Sequence, residues 1–466
     1  MSLQFSSAVG RSVVGATILV LLGTCVPSGR RYTMEGSARP DATAAPLLWG
    51  PATRIDNDLG FTASAAEMAV DADGNIMALW LQSDAGGLAN RVCAALYTAS
   101  GWQAPTVLNP DAASDLPAYQ PKLAADRNGQ FFAVWSQAWK TEDQPRIGVY
   151  GKRYALGSGW EAAVTTIFAD EADVGGNATG ALDIAADASG NATAVWGAND
   201  ATWAHFTIQA ARYTPGTGWA PGQILSPDGV QSATPPAVAM DGAGNAMVVW
   251  GQAAGDNRAA KGLQAARYTV AGWQTPLPIE PSSIAETRSS AVARVGFDPS
   301  GNALAVWSHS AQPGVYAIPW SLTAGWGSAT VLADTHATGA DEGVSLALDR
   351  QGHALALWNH QGGGLLVRRY AAGVWEATEV IDAGPGDSGE VALNPAGSAV
   401  VAWVGRAGNE SHILARPLGL GSGWGEVSEM GSNASEPRIV IDSTGFATVL
   451  WRQEQGLFAA RARIDF

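Results

Sequence analysis

Short apolar runs separated by turn residues cover the chain from about residue 46 to its end. A ten-residue phrase recurs eight times among these runs: Asp or Asn is followed by Gly three positions later and by Trp nine positions later. The copies begin at Asp71, Asp126, Asp187, Asp241, Asp298, Asp349, Asn394 and Asp442. The apolar runs on both sides of the phrase are too short for helices, so the pattern predicts two strands that are buried on both faces.

The polar start of the phrase predicts a hairpin turn between these strands. Asp or Asn opens such a turn by accepting a hydrogen bond from the backbone two residues on, and the Gly supplies the positive φ of a bulged turn. Two positions before the Asp, six of the eight copies carry Ala, as at Ala69 and Ala124. Small residues at this position are expected to let the first strands crowd a central axis.

Two further elements complete each unit. A third apolar run ends in Arg, often followed by Tyr, and a Gly-rich turn then leads to a second Trp. These second tryptophans are Trp102, Trp160, Trp219, Trp273, Trp326, Trp375 and Trp424. The last unit stops after its third run, whereas an orphan fourth run with Trp49 precedes the first unit. The segment around 46 to 55 is therefore expected to pair with the tail near 456 to 466 and to close a ring.

A four-stranded unit of about 50 residues, repeated eight times with both ends in one sheet, resembles the β-propeller. We therefore predict an all-β protein, with residues 46 to 466 forming a single eight-bladed β-propeller of four-stranded antiparallel blades. The phrase is similar to the D-x-x-G-N-A-x-A-V-W repeat of bacterial exported propeller-repeat proteins. That resemblance implies a fold and an envelope location, and no specific activity. The sialidase Asp box and the WD40 repeat space their residues differently, so no catalytic residue is carried over from them.

The N-terminal pattern predicts export. Arg11 precedes the apolar stretch SVVGATILVLL, which is too short to span a bilayer, and LLGTC then ends at Cys25. This ending resembles the lipobox of bacterial lipoproteins, so residues 1 to 25 are expected to be a signal peptide and Cys25 to be acylated after cleavage. Simple secretion is the alternative, because Thr24 stands where the lipobox has a smaller residue. Residues 26 to 45 are expected to form a flexible tether. The resulting prediction is an outer-membrane or periplasmic lipoprotein that contacts the membrane through its lipid anchor.

Composition agrees with this architecture and restricts the partners. The chain has 56 Gly, 24 Pro and 19 Trp but only 15% charged residues, which suits short strands joined by tight turns. The net charge of -15 argues against a nucleic-acid partner, because affinity for phosphates comes mainly from Lys and Arg. Once Cys25 is cleaved off or acylated, Cys93 has no partner within the chain, so no disulfide framework is expected.

Two tryptophans outside the repeat suggest a binding site. Trp139 and Trp203 follow the second strands of adjacent units, on the face that carries the loops of variable length. Such aromatic side chains can stack on a sugar or a peptide, and variable loops on a rigid scaffold commonly bind ligands. Four further residues are expected beside them: His205, Asp170, Glu171 and Asp173. The alternative is that both tryptophans only anchor their loops.

Three other sets of polar residues have both a functional and a structural interpretation. Carboxylates in every connection between units, such as Asp56 and Glu436, could form an acidic ring that holds Ca²⁺, or could be solvated loop charges. No other cofactor is indicated. Polar residues two positions after the repeat Trp, mostly Gln, either contact a ligand or cap strand ends. The repeated Arg of the third run favours a structural role, stacked on aromatic rings.

The chain carries no linear signature of an enzyme. It has no H-E-x-x-H, P-loop, nucleophile elbow or C-x-x-C pattern. This favours an exported binding or interaction module for a glycan or protein ligand at the cell envelope. Carboxylates from different units can still converge near the axis, so a carbohydrate-active hydrolase or lyase stays open. A structural scaffold of an envelope complex is the third alternative.

Overall fold

The computed structural model describes residues 47–56, 62–83, 90–109, 116–140, 146–169, 178–199, 206–226, 231–232, 234–254, 259–281, 291–309, 314–334, 341–360, 364–419 and 422–464. Over this part of the chain the protein is all-β, and eight antiparallel sheets surround one axis. The predicted eight-bladed β-propeller is confirmed. No helix in the described ranges is long and apolar enough to cross a bilayer.

Each blade has an inner, a second, a third and an outer strand, and blades are numbered from the one that contains Trp80. The inner strands are Ala63–Val70, Ala118–Ala125, Ala178–Ala186, Gln231–Ser232 with Ala237–Met240, Ala291–Phe297, Asp341–Leu348, Gly386–Leu393 and Ala434–Ile441. The second strands are Ile76–Ser83, Gln130–Lys140, Ala192–Asn199, Ala246–Ala254, Ala303–His309, Ala354–His360, Ala399–Ala407 and Phe446–Gln453. The third strands are Asn90–Thr98, Arg146–Ala155, Phe206–Thr214, Ala259–Thr269, Gly314–Ser321, Leu365–Ala371, Glu410–Gly419 and Gly456–Arg463.

The outer strands are short and, in blades 1 to 7, divided into two segments. They are Gly101–Trp102 and Thr106–Val107, Gly159–Trp160 and Thr165–Phe168, Gly218–Trp219 and Gln223–Ile224, Gly272–Trp273 and Leu277–Pro278, Gly325–Trp326 and Thr330–Asp334, Val374–Trp375 and Glu379–Asp382, and Gly423–Trp424 and Ser428–Ser432. The outer strand of blade 8 is Thr53–Arg54, from the other end of the chain.

This N-terminal strand closes the ring, as the sequence predicts. Thr53 lies opposite Ala459 in antiparallel register, and the Ile55 amide donates to the Leu457 carbonyl at 2.9 Å. Nearer the start of the described chain, Trp49 forms an isolated bridge with Ala462. The predicted signal peptide and the tether over residues 26 to 45 lie outside the described residues.

The repeat phrase forms the predicted turn. Asp71 Oδ1 accepts hydrogen bonds from the amides of Asp73 and Asn75, both at 2.9 Å, and Gly74 has a φ of 84°. The amide four residues after the Asp or Asn donates to its side chain in all eight blades. The turns also interlock, because a Cβ on Gly74 would come within 3.1 Å of Asp442 Oδ2 in the preceding blade. The Gly is thus needed for its positive φ and for the close approach of the neighbouring turn.

Replacing the turn carboxylate is expected to destabilise the protein measurably. Asp126 is buried and accepts from the amides of Asn128 and Gln130 at 2.7 and 2.9 Å. Asp126→Ala leaves both amides without their acceptor, so the free energy of unfolding should fall by about 2 kcal/mol or more. Asp126→Asn is the matched control, because Asn394 makes the same two hydrogen bonds in blade 7. Equal losses for the two variants in urea denaturation would contradict this account of the turn.

Eight hydrophobic clusters join each blade to the next. The eight repeat tryptophans lie in them and are at most 1% exposed. The cluster that joins blade 8 to blade 1 contains Leu450 and Leu457 together with Ala63 and Trp80. The small residue two positions before the repeat Asp faces the next blade, and a Cβ on Gly296 would come within 2.4 Å of Leu348 Cδ1. The stability of the ring is therefore distributed over eight equivalent interfaces.

The repeated Arg residues have the structural role favoured above. The Arg212 guanidinium carbon lies 4.0 Å from the centre of the Tyr268 ring in the next blade. Equivalent contacts place Arg153 on Tyr213, Arg267 on Trp320 and Arg461 on Tyr97. These cation–π contacts link neighbouring blades on the face formed by the turns.

Candidate functional site

The predicted loop cleft falls almost entirely outside the described residues. Five of its six residues do so, as does the predicted lipidation site: Trp203, His205, Asp170, Glu171 and Asp173 of the cleft, and Cys25. The backbone of Trp139 belongs to the second strand of blade 2 and lies at a register shift between Ala138 and Lys140. The side chain of Trp139 is outside the described part of the chain. The cleft stays a prediction.

The polar residues after the repeat Trp bind the buried indole. Trp80 Nε1 donates to Gln82 Oε1 at 3.0 Å, and Trp135 Nε1 donates to Gln137 Oε1 at 2.9 Å. The same contact joins Trp250 to Gln252 and Trp451 to Gln453. In these four blades the Gln side chain therefore accepts a hydrogen bond from a buried indole N–H in its own strand. The sequence had suggested a ligand contact or a cap on backbone groups, and the indole partner is neither.

Several residues in the blade-to-blade connections also have structural partners. Glu280 accepts from the Leu263 amide at 3.0 Å and from Trp307 Nε1 at 2.8 Å. Asn109 and Ser226 accept from the equivalent third-strand amides of their own blades. Among the described residues, no group of three or more His, Cys, Asp or Glu side chains is placed to hold a metal ion. Most of the acidic loops lie outside the described ranges, so the Ca²⁺ site stays a prediction.

A ring of polar side chains lies at one level of the inner strands. Its members stand four positions before the repeat Asp or Asn, and each pairs in register with the residue before the repeat Trp. We call these eight positions the axial ring: Glu67, Lys122, Asp183, Ala237, Arg294, Ser345, Glu390 and Arg438. Because the inner strands surround the axis, the ring brings three acidic and three basic residues from six blades to the centre of the molecule.

Five members of the ring form a continuous chain of polar contacts. Lys122 Nζ lies 2.5 Å from Glu67 Oε1. Arg438 lies between two carboxylates, with Nε 3.6 Å from Glu67 Oε2 and Nη1 3.5 Å from Glu390 Oε1. Ser345 Oγ is 3.5 Å from Glu390 Oε2. Burial opposes the charge on Arg438, but the carboxylates of Glu67, Glu390 and Glu436 outweigh it and raise the pKa of the guanidinium.

The remaining three members form what we call the open arc, across blades 3 to 5. Asp183 Oδ2 accepts from the Val238 amide at 2.9 Å. Arg294 is exposed, donates to its neighbouring Ala293 carbonyl at 3.0 Å, and forms no ion pair with any described residue. Ala237 stands between them and contributes only a methyl group. A carboxylate and an exposed guanidinium therefore flank a position with no long side chain.

Burial raises the pKa of the Asp183 carboxyl, although the charges of Lys122 and Arg294 and the Val238 amide partly oppose this. The net direction means that the folded protein favours the protonated form more than the unfolded chain does. The stabilisation that follows is complete below the ordinary carboxyl pKa and is lost as pH rises through the raised value.

Asp183→Asn is therefore expected to change how stability depends on pH. The amide can still accept from Val238 and carries no charge to desolvate. The variant should gain free energy of unfolding relative to wild type as pH rises from the acidic range to neutrality. Denaturant titrations at several pH values measure this difference, and a difference that stays constant with pH would contradict it.

Backbone irregularities border the ring on the side of the long loops. The inner strands shift register between Ser64 and Glu67, between Tyr119 and Lys122, and between Ser435 and Arg438. Two positions before the ring, four non-glycine residues have positive φ: Ala65, Gln120, Ser388 and Glu436. Each costs on the order of 1 to 3 kcal/mol and persists where the surrounding structure enforces it, often at functional sites. This makes the axial ring the candidate functional site.

A cavity of about 560 Å³ opens on the axis at the opposite end, on the face formed by the turns. Its walls include the residue before the repeat Asp or Asn, such as Met240, Phe297 and Leu348. Three residues of inner strand, or roughly 10 Å, separate this level from the axial ring. The sequence predicts binding on the face of the long loops, and the cavity is a second concave surface on the opposite face.

Sequence reasoning missed the axial ring, although a signal is present. Charged side chains recur at a fixed offset from the repeat Asp, inside strands that are otherwise apolar or small. Within a single strand, Glu67 or Arg294 does not stand out as a candidate site residue. The charged residues of the ring become visible as a group when the eight copies of the repeat are aligned.

The chain was also compared with known proteins. No protein-family model and no curated protein matches it. A protein of unknown function from Dyadobacter fermentans is similar in structure, with 10% identity and a TM-score of 0.47, over 90% of this chain and 99% of that one. An ulvan lyase from a new polysaccharide lyase family has 9% identity and a TM-score of 0.46, over 84% and 95%. An α-L-arabinanase from Penicillium chrysogenum has 12% identity and a TM-score of 0.40, over 67% and 94%. The class defined by the chain's own fold and site is a closed eight-bladed propeller with a charged axial ring.

Proposed function

We propose that the protein is an exported binding module of the bacterial cell envelope and that its ligand binds at the open arc. The observation that carries the proposal is the exposed Arg294 guanidinium, which has no ion pair among the described residues and stands one blade away from Ala237 and two from Asp183. Elsewhere in the ring, acidic and basic side chains satisfy one another. The open arc offers unused hydrogen-bonding capacity on a rigid frame.

The chemistry of the arc favours a polar ligand with an anionic group. A guanidinium binds a carboxylate or sulfate through two parallel hydrogen bonds, and a carboxylate such as Asp183 accepts from hydroxyl or amide donors. A glycan that contains an acidic sugar, or an acidic peptide, carries both kinds of group. Its anion would lie at Arg294 and its donors toward Asp183.

Binding is favoured over catalysis by the contacts of the other carboxylates. Glu67 and Glu390 both form ion pairs with basic side chains of the ring. A glycoside hydrolase requires one of its two carboxyl groups to keep a proton. One observation supports a hydrolase or lyase as a second candidate: burial raises the pKa of Asp183, as in a general acid.

The test is a glycan and acidic-peptide array probed with wild-type protein and with Arg294→Ala. The variant should bind its ligand at least about tenfold more weakly, equivalent to 1.4 kcal/mol. Arg406→Ala is the control, because it removes an exposed Arg that pairs only with Asp387. If Arg294→Ala binds as wild type does and the double variant Trp139→Ala plus Trp203→Ala does not bind, the site is in the loop cleft.

Chromatography of the bound glycans for cleavage products tests the second candidate, a hydrolase or lyase. If the protein binds nothing on the array, a structural scaffold is the remaining function.

Export and anchoring are part of the same proposal, supported by SVVGATILVLL and LLGTC. We expect the mature protein purified from cells to begin at Cys25 and to carry the mass of acyl chains. Cys25→Ala should abolish the added mass. A mature chain that begins elsewhere, without added mass, would favour simple secretion.

A further inference from the structure

The face formed by the turns has an unusual charge. Between the Asp or Asn and the Gly of the eight phrases lie sixteen residues, of which only Asp73, Arg127 and Arg350 are charged. This gives a net charge of +1 (two Arg minus one Asp) at the tips of these turns, against -15 for the whole chain. The repeat aspartates lie beneath the tips, where turn amides bind them and half-buried Arg residues partly offset their charge, as Arg461 does for Asp442. We call this surface the turn face.

Exposed apolar side chains stand on the same face. They stand in or directly beside the turns between third and outer strands, where solvated turns usually carry polar residues. Val270 is 99% exposed, Val374 65%, Leu322 64% and Leu156 45%. They belong to blades 4, 6, 5 and 2, so they are spread around the face. At its centre opens the cavity, with walls that include Met240, Phe297 and Leu348 and six of the repeat aspartates.

The N-terminal segment joins the propeller at this face. Trp49 bridges to Ala462, and Leu47 belongs to a buried cluster with Ile441 and Ile464. The Ile464 amide donates to the carbonyl of Gly445, which is the Gly of the last repeat turn. The described part of the chain therefore begins at the turn face.

We propose that the turn face rests on a phospholipid bilayer; this rests on the proposed export and anchoring. Exposed apolar side chains enter the interface between headgroups and acyl chains, the net charge of +1 at the turn tips avoids repulsion from anionic lipids at the points of contact, and an anchor on Cys25 holds the face close. The long loops and their end of the axis then point away from the membrane, toward soluble ligands.

The experiment uses the mature protein made by cells, with one cysteine introduced for a fluorescent label. Cys93 does not compete for the label, because it is 2% exposed and burial raises the pKa of its thiol to about 12. Labels are placed at Val270→Cys and Leu322→Cys on the turn face. Ile224→Cys and Leu277→Cys are the matched controls, since these apolar residues are 55% and 57% exposed on the outer edges of blades 3 and 4.

Each labelled protein is placed on vesicles of phosphatidylethanolamine and phosphatidylglycerol, and iodide quenching of the label is compared with that in buffer. Quenching should fall several-fold at positions 270 and 322 and stay unchanged at 224 and 277. Equal quenching at all four positions would overturn the proposal. That result is also expected if the turn face binds a protein partner and not a bilayer. The mass of the mature chain reports separately whether Cys25 is acylated. If Cys25 is not acylated, the same protein is tethered to nickel-chelating lipid by an N-terminal hexahistidine tag. This distinguishes a missing lipid anchor from a turn face that does not contact the bilayer.

Discussion

Trp250→Ala is expected to lower the free energy of unfolding by about 3 to 5 kcal/mol, the range for a fully buried large aromatic residue. The Trp250 side chain is 0% exposed and lies in the cluster between blades 3 and 4, beside Val195 and Ile208. Its indole N–H also donates to Gln252 at 3.3 Å. The substitution removes the largest fully buried side chain from this interface and leaves the Gln252 acceptor without its indole donor.

The matched control is Trp273→Ala in the same blade. Trp273 lies on the outer strand, is partly exposed, and packs edge-to-face on Tyr268 with ring centres 5.3 Å apart. Its loss should cost clearly less, because less apolar area leaves water on folding. Urea denaturation followed by circular dichroism measures both variants, and equal losses would contradict the assignment of the repeat Trp to the interface between blades.

Deleting residues 47 to 56 is expected to cost about 4 kcal/mol or more, from two buried side chains and the hydrogen bonds of the closing strand. Leu47 and Ile55 are 7% and 4% exposed and belong to the clusters on either side of blade 8. The deletion also exposes the edge of Gly456–Arg463, and an unpaired strand edge promotes association between molecules. Light scattering should therefore detect oligomers at concentrations where the wild type gives none.

Leu48→Ser provides the control for the closing strand, since Leu48 is 87% exposed and should contribute little to stability. A deletion variant that stays monomeric and keeps wild-type stability would show that the N-terminal strand does not hold the ring closed.

The fold was predictable because its determinants are local. Asp71 and Gly74 specify a turn through hydrogen bonds and a backbone angle within five residues, and equivalent residues recur in all eight copies of the phrase. Ring closure followed from counting strands, since the fourth run of the last unit stands at the start of the chain. Neither inference required a contact between distant residues.

The candidate site was not predictable in the same way. The open arc arises because Asp183, Ala237 and Arg294 come from blades 3, 4 and 5 and belong to one ring only once the inner strands surround an axis. The cavity on the turn face likewise results from one residue in each of many blades, none of which is unusual by itself. Of the two aromatic residues singled out from the sequence, Trp203 and the side chain of Trp139 are outside the described part of the chain, so that prediction awaits its own test.

The N-terminal strand closes the ring, and the axial ring and both faces depend on that closure. Hydrogen–deuterium exchange followed by mass spectrometry tests it directly on peptides that cover residues 47 to 56. The amides of Gly50 and Ile55 donate to the carbonyls of Arg461 and Leu457, both at 2.9 Å. These peptides should exchange as slowly as those covering 456 to 464, and both should lose protection together as denaturant is added. Exchange of residues 47 to 56 at the rate of an unstructured chain, with 456 to 464 still protected, would contradict a closed propeller.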